Sequence, residues 1–357
     1  MSENIQGQEP LPSKKSRGRY LIILMLIGMT CIGFGLYWVF MTPNFPDVER
    51  EGILIKIRSG MNFNEIATQL QQSQVISDLN SFKLAANISR SIQKIQAGKY
   101  EFSTGLTNWE VLKRLTNGKI HLEKITIPEG KTCHFIASFL QNKIEIDSVK
   151  FIDLVFDSSF THSLGIDAPA LEGYLYPDTY YFNWGMSEKQ CIKAMVNLFR
   201  QKFPEEIQDQ DKELALTRHQ LVILASLIEG EVQIDSERPL VSALYRNRLK
   251  KGMLLQACPT VQYIIPDGPR RLLNKDLEID SPYNTYIYPG LPPGPINNPG
   301  VASLMAAAYP EDVPYLYMVA RGDGGHNFSR SFSGHVIAKQ QFDNYRREVN
   351  REKRQKR

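Results

Sequence analysis

Tyr20 to Met41 reads YLIILMLIGMTCIGFGLYWVFM and carries no charged side chain. As a helix rising about 1.5 Å per residue it extends about 33 Å, which matches the roughly 30 Å hydrocarbon core of a bilayer. Tyr37 and Trp38 stand near its far end, where amphipathic rings favour the interface, and Lys14, Lys15, Arg17 and Arg19 precede it. This asymmetry predicts a cytoplasmic tail at 1–19, one spanning helix at 20–41, a linker at 42–52 that includes Pro43 to Asp47, and the remainder on the outer side. A cleaved signal peptide is one rival. Its apolar stretch is usually about 7–15 residues long and ends in small residues, whereas this run continues into Phe40-Met41-Thr42-Pro43. A buried helix of a soluble core is the other, since it too is apolar all round.

The remaining chain is long enough for roughly two or three domains. With 42 Lys plus Arg against 38 Asp plus Glu, the charge is too even to make nucleic acid the main partner. The four cysteines, at 31, 133, 191 and 258, form no C-x-x-C pair, which removes the usual zinc-ribbon, redox and disulfide-scaffold readings. No G-x-x-x-x-G-K, H-E-x-x-H or G-x-S-x-G occurs either. Neither a cofactor nor a metal is expected.

An internal repeat follows the linker. Ile55-Lys-Ile-Arg-Ser-Gly60 aligns without a gap on Ile125-Thr-Ile-Pro-Glu-Gly130, and the match extends through Ile66-Ala67 with Ile136-Ala137 and Leu70-Gln71 with Leu140-Gln141. Each copy reads as a strand, a glycine turn and an amphipathic helix, expected to pack on the other copy or on the following domain. Aromatic strands are expected at Gly98–Phe102 and Glu172–Phe182, the second holding Glu172 and Asp178 in an otherwise apolar run. A buried helix begins at Thr217, where Thr217 and Gln220 have capping-box spacing, and its Leu221 to Ile228 stretch is apolar on every face. A second helix spans Ser236 to Lys250, closed by Gly252. Beyond it come long loops, including Gln256-Ala-Cys-Pro-Thr260, Ser281-Pro-Tyr-Asn-Thr-Tyr286 and Gly290-Leu-Pro-Pro-Gly-Pro-Ile296, of the kind that carry function on rigid scaffolds. Tyr315–Val319 reads as a strand. The basic tail is a solvated end or a contact for anionic lipid or wall polymer.

Glu229 follows eight apolar helical positions, where an ionised carboxylate is costly to bury. With Ala225 and Ser226 one turn back, it has room beside it for a ligand and could serve as an acid that later recovers its proton. On pattern alone the competing reading remains open: a helix end reaching solvent, with Glu229 exposed or paired to Arg246 or Arg248. Glu231 lies about 200° further round the helix and points elsewhere. His326, in a glycine turn, is either a substrate contact or an ordinary loop histidine.

Several segments together, in order, carry a resemblance: Leu171-Glu-Gly-Tyr-Leu-Tyr-Pro-Asp-Thr-Tyr180, Ala225-Ser-Leu-Ile-Glu229, Arg246-Asn-Arg-Leu249, Ser281–Tyr286, Gly290–Ile296, Asn298-Pro-Gly300 and Tyr315-Leu-Tyr317. The chain resembles the membrane-anchored endolytic murein transglycosylases of the YceG-like (MltG) family from its anchor to about His335. The resemblance implies an α+β protein with a LysM-like region at 53–165, a mixed α/β catalytic domain at 166–345 and a basic tail at 346–357. It implies a single-pass protein of the plasma (inner) membrane whose catalytic domain lies outside. The implied reaction cuts the MurNAc–GlcNAc β-1,4 bond within nascent peptidoglycan strands, leaves 1,6-anhydro-MurNAc ends and terminates elongation, with peptidoglycan synthases as further partners.

Glu229 matches the family's catalytic glutamate. Glu172, Asp178, Tyr180, Asn247, Gln256, Thr260, Tyr283, Asn284, Tyr286 and His326 are the candidate substrate contacts. Two departures stand out: Cys258 where the family usually has an acid, and Gly230 in place of a longer side chain. The alternatives are a hydrolase using water on the same polymer and a non-catalytic glycan-binding anchor.

Overall fold

The computed structural model describes residues 14–45, 50, 52–58, 60–118, 122–266, 268 and 270–355. Most of the expected cytoplasmic tail, the 46–49 part of the linker, Ser59 of the first repeat copy and residues 356–357 lie outside the described residues. The chain divides into two compact units. One runs to Leu122 and takes back Asn183–Gly185; the other comprises Glu123–Phe182 and Met186 onward.

The first unit opens with helix α1 (Lys14–Met41). Its apolar side chains are exposed along nearly the whole length, with only 6% of the most apolar window buried. A soluble-core helix would bury that face, so α1 is a helix long and apolar enough to cross a membrane. Only its last turn packs, through Val39, whose carbonyl accepts from Asn108 Nδ2 at 2.9 Å. Strand β1 (Ile53–Ile57) pairs antiparallel with β2 (Gly98–Phe102), placing Ile55 opposite Tyr100 and Ile57 opposite Gly98. Helices α2 (Phe63–Gln72), α3 (Leu79–Ile88) and α4 (Asn108–Asn117) complete a core of Ile55, Ile57, Leu70, Phe82, Tyr100 and Leu112. Asn62 with Glu65 and Thr107 with Glu110 form capping boxes that satisfy the first amides of α2 and α4.

The second unit begins with β3 (Leu122–Thr126), the strand of the second repeat copy, followed by α5 (Cys133–Ile144), α6 (Ser148–Val155) and α7 (Ser158–Ser163). β3 pairs with β4 (Thr179–Asn183). The compact division after Leu122 therefore separates the two copies, and the 165/166 boundary expected from sequence falls inside the second unit. The expected strand at Glu172–Phe182 is also shorter. Gly173 has φ +88°, and a Cβ there would meet Pro295 and Val222 at 2.6 and 2.8 Å, so residues 172–178 run as a tight loop against the core.

The centre of this unit is α9 (Arg218–Glu231), preceded by α8 (Glu188–Lys202). Thr217 and Gln220 cap α9 reciprocally as its sequence predicts, and all of Leu221–Ile228 is buried. Each of its Leu, Val and Ile side chains contributes roughly 1.5–3 kcal/mol on burial. A 3₁₀ turn at Asp235–Glu237 replaces the expected start of the next helix, so α10 spans Arg238–Lys250 with Pro239 in its first turn. Then come α11 (Cys258–Ile264), α12 (Val301–Ala308), the antiparallel hairpin β5 (Tyr317–Ala320) and β6 (His326–Ser329), and α13 (Phe332–Gln355). Residues 346–355 of the basic tail are thus the end of a helix. Small residues let α12 approach α9 closely, with Ala306, Ala307 and Ala308 all buried.

Candidate active site

The last turn of α9 delivers two carboxylates to different surroundings, as residues about 200° apart on a helix must be. Glu229 keeps only 7% of its side chain exposed. Its Oε2 accepts three hydrogen bonds: from Ser303 Oγ at 2.7 Å, Arg238 Nη1 at 3.1 Å and the Gly300 amide at 3.2 Å. Gly300 caps α12, so the carboxylate also sits at the electropositive end of that helix. Arg238 Nη1 is shared with Ser303 Oγ, and its Nε reaches Asp235 at 3.1 Å. Among the described residues Oε1 has no hydrogen-bond partner. It lies beside Gly130, whose missing Cβ would stand 3.9 Å from it.

The ion pair considered from sequence therefore exists, but with a different arginine. Arg246 is 1% exposed and pairs with Asp209 at 2.8 Å, while Arg248 donates to the Leu316 and Leu255 carbonyls. Arg238 sits at the start of α10, where its side chain turns back to the end of α9.

Glu231 lines a cleft of about 450 Å³ together with Lys131, Phe135, Cys258, Tyr263 and Asn297. Burial pushes its carboxyl above the usual range, while His326, the Tyr245 hydroxyl at 3.4 Å and Arg248 pull the other way. Cys258 is solvent-accessible at the cleft, but its Sγ, 3.1 Å from the Tyr286 hydroxyl, is partly desolvated by the residues around it, and this and then Glu231 raise its thiol. Gly230 has a local reason: a Cβ would stand 2.7 Å from Pro259, so its absence lets α11 close on α9 and floor the cleft.

A third acid is Glu129, in the glycine turn of the second repeat copy. Its carboxyl occupies the space a side chain at Gly300 would need. Burial first and the Glu229 charge second raise its pKa, opposed by Arg238. Asn298 holds this turn in place. Its amide donates to Lys131 O at 2.9 Å and Glu172 Oε1 at 3.1 Å, its Oδ1 accepts from Gly173 and Leu175, and the Gly130 amide donates to its carbonyl at 2.9 Å.

Several expected substrate contacts spend their polar groups on the protein instead. Glu172 is 3% exposed and accepts from the Cys133 amide at the start of α5 and from Asn298, so it joins segments rather than meeting solvent. Tyr180 donates to Tyr176 O, and Thr260 to Ala257 O at 2.8 Å. Asn284 donates to Leu277 and Ile279 carbonyls, and Asn247 to those of Val313 and Tyr315. His326 is held by Glu237, with Nδ1 2.8 Å from Oε2. Each is drawn inward because a buried polar group must find a partner.

Asp178, Gln256, Tyr283 and Tyr286 remain accessible at least in part. Tyr286 adjoins the cleft through Cys258, and Tyr283 through Tyr263, with ring centroids 5.2 Å apart. Gln256 takes φ +50° beside them, its amide bonded to Thr285 O at 3.0 Å. Of the loops that stand out in the sequence, Gly290–Ile296 reaches the cleft wall through Ile296, the Ser281–Tyr286 loop touches its lining residues Tyr263 and Cys258, and the 171–180 segment does not line it. Sequence reasoning does not reach Arg238, Ser303 and Glu129 as site residues, although the Asn298-Pro-Gly300 motif and the Glu129-Gly130 repeat turn both stand out in the chain.

Comparison with known proteins gives the family. The model of the YceG-like family matches residues 55–341. A Bacillus subtilis (strain 168) protein named endolytic murein transglycosylase is 34% identical over 304 residues, covering 81% of this chain and 84% of its own. A Streptococcus pneumoniae (serotype 2, strain D39) protein of the same name is 26% identical, covering 75% of this chain and 54% of its own. A crystal structure of a YceG-like protein from Listeria monocytogenes, 31% identical, superposes with a TM-score of 0.54 over 81% of this chain and 99% of that one. The chain belongs to the YceG-like family.

Proposed function

We propose that this chain is an endolytic murein transglycosylase that cuts the MurNAc–GlcNAc β-1,4 bond within peptidoglycan strands and leaves 1,6-anhydro-MurNAc ends. The observation that carries the reading is the asymmetry of the Glu229 carboxyl. Three donors hold Oε2, and among the described residues Oε1 is left without a hydrogen-bond partner beside a cleft-lining glycine. The relatives' names supply the substrate class.

In this mechanism Oε1 carries a proton and gives it to the glycosidic oxygen as the C1–O bond breaks. The sugar's own 6-hydroxyl then attacks C1 and returns its proton to Glu229. Because that hydroxyl is already tethered near the anomeric carbon, its effective molarity replaces the second carboxylate an ordinary glycosidase needs. Ser303, Arg238 and the Gly300 amide hold the carboxyl in one orientation through both transfers. Tyr283, Tyr286 and Gln256 present polar groups to sugar at the cleft edge. In the same reading α1 spans the plasma membrane with its amino terminus inside, and the LysM-like region at 53–165 engages glycan near the synthases that make it.

The presence of Glu231 in the cleft wall, with its raised pKa, favours a second reading in which it is the acid. Mass spectrometry of digested strands distinguishes the two. Glu229→Gln should lower formation of anhydro ends by at least about 10²-fold, with Glu231→Gln much less affected. A folded Glu229→Gln variant of near wild-type rate would end the proposal. A dead Glu231→Gln variant beside an active Glu229→Gln would transfer the role. Reducing rather than anhydro ends would make the enzyme a hydrolase.

A further inference from the structure

The cleft beside Glu229 holds a charge that the fold does not use. Among the described residues that line it, Lys131 is the one cation and Glu231 the one carboxyl. The two are not paired. Glu231 accepts from the Tyr245 hydroxyl at 3.4 Å, and the Lys131 ammonium stands over the Phe135 ring, 5.1 Å from its centroid. Among the described residues Lys131 has no ion-pair partner. A ring face attracts an ammonium without neutralising it, so this half-buried cation is presented to whatever enters the cleft.

Its position is built. The Lys131 carbonyl accepts from the Asn298 amide at 3.0 Å and from Asn298 Nδ2 at 2.9 Å, and Phe135 belongs to the first turn of α5. The preceding residue is Gly130, where an added Cβ would stand 3.9 Å from Glu229 Oε1. Consecutive Cα atoms are about 3.8 Å apart, so the cation joins the cleft one residue from the reacting oxygen. The same lining holds an acceptor that wants a donor. Asn297 is 5% exposed, and its Nδ2 donates to Ser226 O at 2.8 Å, which fixes the amide; among the described residues its Oδ1 has no partner. A buried acceptor left unsatisfied is costly, and an N–H of a ligand relieves it. The cleft therefore suits a ligand that brings a negative charge and amide N–H groups together.

In the polymer of the proposed reaction, the glycan backbone does not bring that charge. Its rings bear hydroxyl and acetamido groups, and the lactyl carboxyl of MurNAc is tied up as an amide. That amide begins the peptide stem, which carries the free carboxylates. The stem leaves the same MurNAc whose C1 reacts and whose 6-hydroxyl attacks. We infer that Lys131 is a specificity-determining residue, pairing with a carboxylate of the peptide stem on the reacting MurNAc, so that the cleft selects stem-bearing strands over neutral ones. This rests on the reading of Glu229 as the transglycosylase acid, which sets MurNAc beside Gly130. Lys131 takes no part in bond making or proton transfer.

The test uses the full chain in detergent on uncrosslinked strands, either native or with their stem carboxyls capped as methylamides. Capping should raise the wild-type KM by about tenfold, the effect of losing one charge-assisted hydrogen bond, and leave kcat nearly unchanged. Lys131→Met keeps an alkyl chain on Phe135 and drops the charge. Its KM on native strands should rise by a similar factor, with no further rise on capped ones. Lys131→Arg should keep the wild-type preference. A wild type indifferent to capping overturns the inference, and that comparison decides it alone should Lys131→Met not fold. A Lys131→Met variant that discriminates as the wild type does also overturns it. So does one whose kcat falls at unchanged KM, since that reports a disturbed turn at Gly130. Glu229→Gln is measured in parallel. If it still forms anhydro ends the reaction reading fails, whereas an inactive Glu229→Gln beside a wild type that ignores capping removes the Lys131 assignment alone.

Discussion

At the scale of single residues, Glu172 shows how a carboxylate in an apolar run can be noticed from sequence while its partners in the fold are not. It lies beneath the surface, with Cys133 and Asn298 as donors, and burial pushes it up to about 7 against the lowering effect of those hydrogen bonds. Its ordinary value is 4.5, so the folded state holds the proton more tightly than the unfolded chain does. Its contribution to stability is complete below the unfolded value and is lost as pH rises through the folded one. The loss amounts to about 3 kcal/mol. Urea unfolding across that window should show the wild type weakening as pH rises, and Glu172→Gln should lack that part of the slope. Equal slopes in the two proteins would show that the buried carboxyl is not the source. The Asn298 that decides Glu172's role is 126 residues further along the chain, which no local pattern reports.

At the scale of elements, helix ends were the legible part. The Thr217–Gln220 box opens α9 as its spacing implies, because both bonds are local. α10 starts later than expected because Pro239 has no N–H to bond back to a helix begun at Ser236 and fits only in a first turn, and Arg238 there reaches Glu229. α10 is fastened from its other end by Arg246, which ties it to Asp209 and to the Ala307 carbonyl at the end of α12. Removing one partner of a buried ion pair leaves the other uncompensated, so Arg246→Ala should cost about 3–5 kcal/mol. Denaturant unfolding measures it, and a loss below about 1 kcal/mol would mean the pair is exposed to water in solution. The 172–178 segment failed as a strand because aromatic enrichment signals a half-buried surface without saying which backbone supplies it. Here Gly173 turns the chain at a contact with Pro295 and Val222.

At the scale of the whole molecule, the repeat proved to be one local motif used in two units. β1 pairs with β2, and β3 with β4, each copy finding a partner strand outside itself. The proposed topology can be tested with a native thiol. Cys258 is exposed in the second unit, while Cys31 lies within α1. A membrane-impermeant maleimide applied to intact protoplasts should label the wild type, and Cys258→Ser should abolish that labelling. Labelling only after lysis would place the second unit inside the cell and reverse the assignment.

The sequence by itself determined whatever depends on neighbouring residues or on composition. That includes the 22-residue charge-free run, the strand–turn–helix repeat, the all-apolar approach to Glu229 and the reciprocal cap of α9. Helical period, capping and transfer from water act within a turn or a segment, so their signals lie side by side in the chain. Only the tertiary structure decided which acid met which base. Glu229 is held by residues 9, 71 and 74 positions away, and Glu129 comes to it from 100 positions before. Coulomb interaction and hydrogen bonding act through space over a few ångströms, and the chain brings such groups together only when its cores close.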